Sequence, residues 1–258
     1  MTSTPRARTP RERYRDQTRA EIKQIAVGQL AAGGVEGVAL LRIAKEIGMS
    51  GPALYRYFAS RDDLLSELVV DAYQAVAAEI GAVDISAGGR AALHALATAF
   101  RDWAVAQPHL YLLIQGTPVP GFRAPDETVA HAREVLGPFL TVFAGGRPSN
   151  SVEPLVGEFN RWLRDDAAVA AWVEKWTGPS SGGSATSTGA AESPVAAGSE
   201  GSSESAAAVA LTGAITAWPQ LHGTVGLEAA GQFAGMGHRP TTLLAVQVDM
   251  LADAFQLA

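Results

Sequence analysis

The segment from Ser50 to Tyr57 brings two phenols, a guanidinium and a hydroxyl together within a few residues. Phenols, hydroxyls and guanidinium groups donate hydrogen bonds, and a guanidinium matches the paired oxygens of a phosphate. The residues at the beginning of the segment, 51–53, are small, so the backbone there can approach another molecule closely. These residue types predict contacts with phosphate groups and with the edges of bases in a DNA groove.

The residues around this segment predict two short helices that hold it in place. One helix is predicted from Leu40 to Ile47 and another from Pro52 to Tyr57, with Gly48 in a left-handed conformation between them. Ser50 is expected to cap the second helix. The side chains expected to face the core are Leu40, Ile43, Ala44, Ile47, Met49, Leu54 and Phe58. The whole pattern, residues 40–58, predicts a helix-turn-helix, which places its second helix in a major groove of DNA.

The distribution of charge supports a polyanionic partner for the first part of the chain only. Residues 1–61 hold 11 Lys and Arg against 5 Asp and Glu, a balance of +6, and the remainder of the chain has a balance of −12. Charge alone is equally compatible with an ordinary solvated basic tail. Together with the helix-turn-helix pattern it predicts that the first part contacts double-stranded DNA. The predicted DNA-contacting residues are Arg19, Arg42, Ser50, Gly51, Pro52, Ala53, Tyr55, Arg56, Tyr57 and Arg61.

The hydrophobic periodicity is helical along almost the whole chain and predicts an all-α fold. We expect a disordered basic arm over 1–12, a three-helix helix-turn-helix DNA-binding domain over 13–62, and a helical ligand-binding and dimerisation domain over 63–258. Within the last domain, residues 178–205 are almost wholly Gly, Ser, Ala, Thr and Pro, which predicts a flexible low-complexity loop. The other predicted helices are Arg13–Ala32, Ser60–Gly81, Gly88–Ala106, His109–Ile114, Asp126–Ala144, Val152–Trp176, Ala206–Gly231 and Pro240–Leu257.

The helix-turn-helix segment resembles the TetR family of bacterial regulators over roughly Arg19 to Ala72. The matching residues are Ile43-Ala44, Gly48-Met49-Ser50, Leu54-Tyr55-Arg56-Tyr57-Phe58 and Ser60-Arg-Asp-Asp-Leu64. The resemblance implies an all-helical homodimer with a paired DNA-binding head and a ligand-responsive body. Two positions depart from the family pattern: Ala39 stands where Ser or Thr usually caps a helix, and Tyr57 stands where His is common.

The segment from Ala206 to Gly237 resembles the C-terminal domain of a TetR subgroup marked by Trp, His-Gly and Leu-Glu. Here those residues are Trp218, His222-Gly223 and Leu227-Glu228. The resemblance implies a homodimer formed through the last two helices. The residues expected at the seam are Leu243, Leu244, Val246, Val248, Leu251, Ala254 and Phe255.

Aromatic residues concentrate in the helices before the low-complexity run, where we expect the pocket for a small-molecule effector of unknown identity. A mostly apolar cavity with a few polar groups is typical of such sites, and it favours an apolar or aromatic molecule. Each aromatic side chain is also compatible with an ordinary place in the core. The candidate ligand-binding residues are Phe100, Trp103, Tyr111, Phe139, Phe143, Phe159, Trp162 and His222.

The sequence offers little for catalysis, metal binding or a membrane. Cysteine is absent, which fits a reducing cytoplasm, and no pair of histidines has metal-ligand spacing. We expect no cofactor, no metal, no enzymatic activity, no transmembrane segment, and a cytoplasmic, nucleoid-associated location. The leading interpretation is a repressor released from a near-palindromic operator by a ligand. The alternatives are a ligand-independent activator or architectural DNA binder, and an enzyme that carries a helical head.

Overall fold

The computed structural model describes residues 9–115, 127–178 and 200–258, and for 200–205 it describes the backbone alone. The predicted all-α class is confirmed, because helices make up 77% of the structure and the described ranges contain no strand. The chain divides into two compact units. The first unit is Met1–Tyr73 with Gln107–Thr128, and the second unit is Gln74–Ala106 with Val129–Ala258.

The helix bounds agree with the predicted ones to within a few residues at most positions, since glycines and prolines mark most of the ends. The predicted domain boundary at residues 62 and 63 lies in the first turn of α4, and the division between the two units falls later in that helix. The helices are α1 Pro10–Gly33, α2 Leu40–Glu46, α3 Gly51–Leu54, α4 Arg61–Gly81, α5 Gly89–Ala106, α6 Pro108–Gln115, α7 Thr128–Phe143, α8 Glu153–Asp165, α9 Ala167–Thr177, α10 Glu200–Ala229 and α11 Pro240–Ala254.

The first unit encloses a continuous apolar core built by α1 to α4. Helices α1, α2 and α4 each contribute buried residues at helical spacing, and α3 contributes Leu54. Helix α6 adds partly buried leucines where it packs against α1. Burial of these side chains fixes which faces of α2 and α3 remain exposed to solvent. The core residues are Ile22, Ala26, Leu30, Val38, Leu40, Ile43, Ala44, Leu54, Phe58, Leu64, Leu65 and Leu68.

The turn between α2 and α3 has the geometry that its sequence predicts. Gly48 has a φ of 68°, in the left-handed region. The backbone N–H of Met49 donates to the carbonyl of Ala44 at 2.8 Å, which satisfies a carbonyl left over at the end of α2. Met49 itself packs partly buried against the core.

The prediction that α3 runs from Pro52 to Tyr57 is wrong in length. The α-helical turn covers Gly51–Leu54, and the chain then tightens, with the N–H of Tyr57 donating to the carbonyl of Leu54 at 2.8 Å. This bond spans three residues rather than four and gives a 3₁₀ turn, a common way for a helix to end. Ser50 precedes α3 without a side-chain capping hydrogen bond, so the expected Ser50 cap is absent.

The single helix predicted from Val152 to Trp176 is also wrong, because the structure has two helices there. Asp166 is extended, with φ −127° and ψ 97°, and it separates α8 from α9. Its carboxylate accepts hydrogen bonds from the N–H groups of Ala168 at 2.9 Å and Val169 at 3.1 Å. An aspartate that caps a new helix competes with continuation of the old one, and apolar periodicity alone does not reveal that competition.

Helix α10 is the longest helix and begins earlier than predicted, at Glu200 instead of Ala206. Most of the predicted loop, residues 179–199, lies outside the described residues. Pro219 lies inside α10 on its exposed side. Gly213 lies against the ring of Phe143 on α7, and a Cβ at this position would overlap the ring. The missing side chain thus allows α7 and α10 to approach closely.

Candidate nucleic-acid interface

We call residues 50–58, which include α3 and the 3₁₀ turn after it, the α3 turn. It exposes polar and aromatic side chains on one side and buries apolar side chains on the other. Leu54 and Phe58 are fully buried in the core of the first unit. Ser50 and Arg56 are exposed, and Tyr55 has 48% of its surface exposed despite its large ring. The buried pair therefore orients the exposed residues outward, as an element that enters a DNA groove requires.

Three other predicted contact residues in this turn are only partly accessible. Gly51 lies beneath Leu41, whose Cδ2 would be 3.1 Å from a Cβ at position 51, so a larger residue would disturb this corner. Ala53 is partly buried, and Tyr57 packs against the core. Tyr57 is therefore less outward than the sequence pattern predicts. Pro52 is exposed at the beginning of α3, where its missing N–H costs little.

The predicted cationic contacts at the flanks differ in their surroundings. Arg42 is exposed on α2, and its Nη2 donates to the carbonyl of Gly37 at 3.1 Å. Arg61 is partly buried, and its Nη2 donates to the carbonyl of Val35 at 2.5 Å. This hydrogen bond ties the beginning of α4 to the segment between α1 and α2. The structure therefore gives Arg61 a role within the fold that the sequence did not predict.

Arg19, another predicted DNA contact, is also engaged inside the unit. It pairs with both carboxylate oxygens of Glu67 on α4, and its Nη1 donates to the carbonyl of Tyr57 at 2.6 Å. Its guanidinium carbon lies 4.3 Å from the centre of the Phe58 ring. Glu67 is a residue that sequence reasoning missed, because it is far from Arg19 along the chain and no local signal connects them.

The helices before and after α3 differ in how their first residues are held: α4 has a side-chain cap and α2 has none. Ser60 caps α4, because its Oγ accepts from the N–H of Asp63 at 3.0 Å, while the Asp63 carboxylate accepts from the N–H of Ala59 at 3.0 Å. Ala39 precedes α2 without a side-chain cap. The buried side chain of Gln29 on α1 instead accepts the N–H of Ala39 at 3.0 Å. Gln29 therefore supports the beginning of α2 from a neighbouring helix.

Two family models match the chain over most of its length. Residues 24–68 match "Bacterial regulatory proteins, tetR family" and residues 93–251 match "Tetracyclin repressor-like, C-terminal domain". The second match alone covers more than half of the chain. The chain belongs to the TetR family. It is therefore a DNA-binding, helix-turn-helix transcriptional regulator.

Individual relatives agree with this assignment. The HTH-type transcriptional regulators Rv1816 of Mycobacterium tuberculosis and Mb1846 of Mycobacterium bovis are each 32% identical over 182 residues, which cover 64% of this chain and 78% of the relative. The crystal structure of a proposed regulatory protein, SCO4313, has a TM-score of 0.69 at 37% identity and covers 94% of this chain and 98% of its own. A Rhodococcus sp. RHA1 protein of unknown function, at 18% identity and a TM-score of 0.59 over 98% of this chain and 99% of its own, shares the fold.

The candidate ligand-binding aromatics of this TetR-family regulator fall in different surroundings. Tyr111 lies in the first unit on α6, fully buried, and burial raises the pKa of its phenol far above its ordinary value. The other candidates lie in the second unit. There Phe100, Trp103, Phe139 and Phe143 are buried, Phe159 is partly buried, and Trp162 is exposed.

In the second unit, the aromatic rings of Trp218 and Phe100 lie next to the imidazole of His222. The ring centres of His222 and Trp218 are 4.1 Å apart, and those of His222 and Phe100 are 5.3 Å apart, with an angle of 69° between the two ring planes. Burial among these rings lowers the pKa of His222 to about 4, so the imidazole is neutral at neutral pH. An uncharged imidazole beside aromatic rings can hydrogen-bond a neutral polar group and does not attract an anion.

A cleft lies elsewhere in the second unit, among residues of α8, α9 and α10. Its volume is about 230 Å³, and none of the predicted aromatics lines it. A second cavity of about 10 Å³, near the space of one water molecule, includes Phe139 in its wall. The residues around the larger cleft are Asn160, Leu163, Arg164, Ala170, Glu174, Thr177 and Ala207.

No group of three or more His, Cys, Asp or Glu side chains in the described ranges is arranged to hold a metal ion. The same ranges contain no helix that is both long enough and apolar enough to cross a membrane.

Proposed function

We propose that this TetR-family regulator is a repressor that binds a near-palindromic operator as a homodimer and is released by a small molecule. The observation that carries the proposal is the exposure of Tyr55 and Arg56 in the turn that follows α3, while Leu54 and Phe58 anchor this turn in the core. The proposed DNA contacts are Arg42, Ser50, Gly51, Pro52, Ala53, Tyr55, Arg56 and Tyr57.

Exposed apolar positions on each of the last two helices support dimerisation through them. On α11, Val246 and Met250 are one turn apart and have 50% and 65% of their surfaces exposed. On α10, Leu227 has 47% exposed and Gly223 lies one turn before it without a side chain. Apolar stripes at helical spacing are what a four-helix dimer interface buries. Most of the seam residues predicted from sequence, such as Leu244 and Leu251, are instead buried within the protomer.

A dimer would present two α3 turns about one helical repeat of DNA apart, and matching half-sites then form a near-palindrome. The effector is expected to bind the second unit more tightly in a state whose α3 turns are spaced wrongly for the operator. Its differential affinity for the two states sets how far DNA binding falls. The division between the two units falls inside α4, so this helix belongs to both and is the proposed transmitter.

An apolar or aromatic effector is favoured by the neutral His222 beside Trp218 and Phe100. One observation favours the second candidate function, a regulator that responds to no ligand. Phe100, Phe139 and Phe143 are fully buried in the protomer and pack as core residues do. Mass spectrometry of small molecules that copurify with the protein, followed by their addition to the DNA complex, separates these alternatives. Release of DNA by such a molecule favours the first candidate.

The proposed interface is tested by replacing its most exposed side chains. Tyr55→Ala and Arg56→Ala are each expected to weaken binding to a duplex selected by the wild-type protein from random DNA, by about tenfold or more. Fluorescence anisotropy measures the affinity, and sedimentation checks that each variant keeps the oligomeric state of the wild type.

Arg147→Ala is the matched control, because it removes an exposed arginine from the second unit. Its affinity for the selected duplex is expected to equal that of the wild type. Normal binding by both α3 variants would show that the interface has been assigned to the wrong residues.

A further inference from the structure

We propose that Arg19 and Glu67 form a clasp that positions the DNA-reading turn and sets operator affinity without contacting DNA. The clasp consists of the Arg19 guanidinium, the Glu67 carboxylate, the carbonyl of Tyr57 and the ring of Phe58. The inference rests on the proposed interface at α3 and replaces the sequence prediction that Arg19 is itself a DNA contact.

The clasp joins three elements through one planar group. Arg19 on α1 donates from Nε to Oε2 of Glu67 at 3.0 Å, and its Nη2 pairs with the second carboxylate oxygen. Its Nη1 donates to the carbonyl of Tyr57 at 2.6 Å, at the end of the turn that follows α3. The face of the same guanidinium lies 4.3 Å from the centre of the Phe58 ring. A lysine, with a single ammonium, cannot make this set of contacts at once.

These contacts leave Arg19 poorly suited to bind phosphate. Three of its five N–H groups, one each on Nε, Nη1 and Nη2, donate to protein oxygens, and one face of the guanidinium covers an aromatic ring. Its side chain has 29% of its surface exposed, and the neighbouring carboxylate of Glu67 balances its charge. A phosphate would be limited to the two remaining N–H groups, and it would lie close to the Glu67 carboxylate, which repels it.

The clasp holds the part of the backbone from which the proposed DNA contacts project. The carbonyl of Tyr57 belongs to the residue immediately after Arg56, and Phe58 anchors the same turn in the core. Fixing both groups limits the directions that the side chains of Tyr55 and Arg56 can take. Contact residues lose affinity when the residues that support them allow even small displacements.

A second ion pair one helical turn away supplies an internal control. The Nζ of Lys23 on α1 lies 2.6 Å from Oδ2 of Asp71 on α4, so it joins the same two helices as the clasp. The same Nζ lies 3.8 Å from Oε2 of Glu67, a longer contact that remains when Asp71 is replaced. The described hydrogen bonds and ion pairs of Lys23 and Asp71 include none to the α3 turn. Glu67→Gln and Asp71→Asn each remove one negative charge from α4, and only the first releases Arg19.

The test measures DNA affinity over a series of salt concentrations for Arg19→Gln, Arg19→Lys, Glu67→Gln and Asp71→Asn, with thermal unfolding of each. We expect Arg19→Gln, Arg19→Lys and Glu67→Gln each to raise the Kd about tenfold, and Arg19→Gln with Glu67→Gln to be no worse than either alone. The dependence of affinity on salt should keep the wild-type slope, because no phosphate contact is lost. Asp71→Asn should bind as tightly as the wild type or more tightly.

Loss of a negative charge at Glu67 favours DNA binding by simple electrostatics, so weaker binding by Glu67→Gln points to positioning. Unchanged or tighter binding by Glu67→Gln, with a shallower salt slope in Arg19→Gln, would overturn the proposal and make Arg19 a phosphate contact. Equal losses of affinity and of thermal stability in Glu67→Gln and Asp71→Asn would also overturn it, because both pairs would then simply join α1 to α4. If Tyr55→Ala and Arg56→Ala bind normally, the interface itself has failed, whatever Glu67→Gln does.

Discussion

At the scale of single residues, Gln29 shows how a buried amide on one helix supports the beginning of another. A Ser or Thr at position 39 would accept an N–H from the first turn of α2, and Ala39 has no side chain that can do so. The amide oxygen of Gln29 accepts a different group, the backbone N–H of Ala39 itself, at 3.0 Å. The side-chain cap is therefore not replaced, but the residue that precedes α2 is held by α1.

His222 leads to a prediction about stability and pH. Burial lowers the pKa of this histidine from 6.5 to about 4, so the unfolded chain takes up the proton first as the pH falls. The contribution of His222 to the free energy of unfolding should be complete above about pH 6.5 and be lost progressively toward about pH 4, by about 3 kcal/mol at most. Urea unfolding at several pH values measures this loss.

The variant that isolates the effect is His222→Gln, which removes the titrating group. Its unfolding free energy should fall less steeply over the same pH range than that of the wild type. His238→Gln removes an exposed imidazole instead and should follow the wild-type curve. Parallel curves for wild type and His222→Gln would mean that the buried neutral imidazole does not govern this stability.

At the scale of elements, the break at Asp166 separates α8 from α9 and predicts a measurable cap. Asp166→Ala removes the acceptor of two N–H bonds at the beginning of α9 and should lower the free energy of unfolding by about 1 kcal/mol. Chemical denaturation gives this value directly. Asp165→Ala changes an exposed aspartate beside it, at the end of α8, and should cost less than about 0.5 kcal/mol. Equal losses would show that the capping bonds add nothing.

The helices illustrate what periodicity predicts and where it fails. Glycine and proline ended the predicted helices close to their true ends, as at Gly33, because these residues act through local backbone geometry. The division at Asp166 was missed, since a capping aspartate within a periodic stretch looks like any solvated charge. The shortening of α3 was missed for a related reason: tightening into a 3₁₀ turn leaves the apolar pattern unchanged.

The sequence predicts some properties of the candidate interface and does not predict others. Exposure of Tyr55 and Arg56 followed from the buried positions of Leu54 and Phe58, which helical spacing reveals. The roles of Arg19 and Arg61 did not follow, because their partners come from other elements. A single sequence shows that a charge is present. The partner of that charge becomes visible only when the helices are packed together.

At the scale of the whole molecule, the apolar stripe on α11 predicts how the dimer can be broken. Met250→Glu and Val246→Glu each place a charge on an exposed apolar position and should shift the protein toward monomer, since burying an unpaired carboxylate is costly. Analytical ultracentrifugation over a range of concentrations measures the shift. Gln232→Glu adds the same charge at an exposed position between α10 and α11 and should leave the dimer intact. A stable dimer in both α11 variants would place the interface elsewhere.

Because the charge of the chain is uneven, the salt dependence of DNA affinity is the most direct test of the proposal that DNA binds the first unit. DNA is proposed to contact the first unit, within the part of the chain whose charge balance is +6, at the exposed side of α3. Affinity for the selected duplex is measured over a series of salt concentrations for the wild type, Arg56→Ala and Arg147→Ala. We predict a steep fall of affinity with salt for the wild type and for Arg147→Ala, and a slope shallower by about 0.9 for Arg56→Ala. A wild-type affinity that does not change with salt, or identical slopes for all three proteins, would contradict the account.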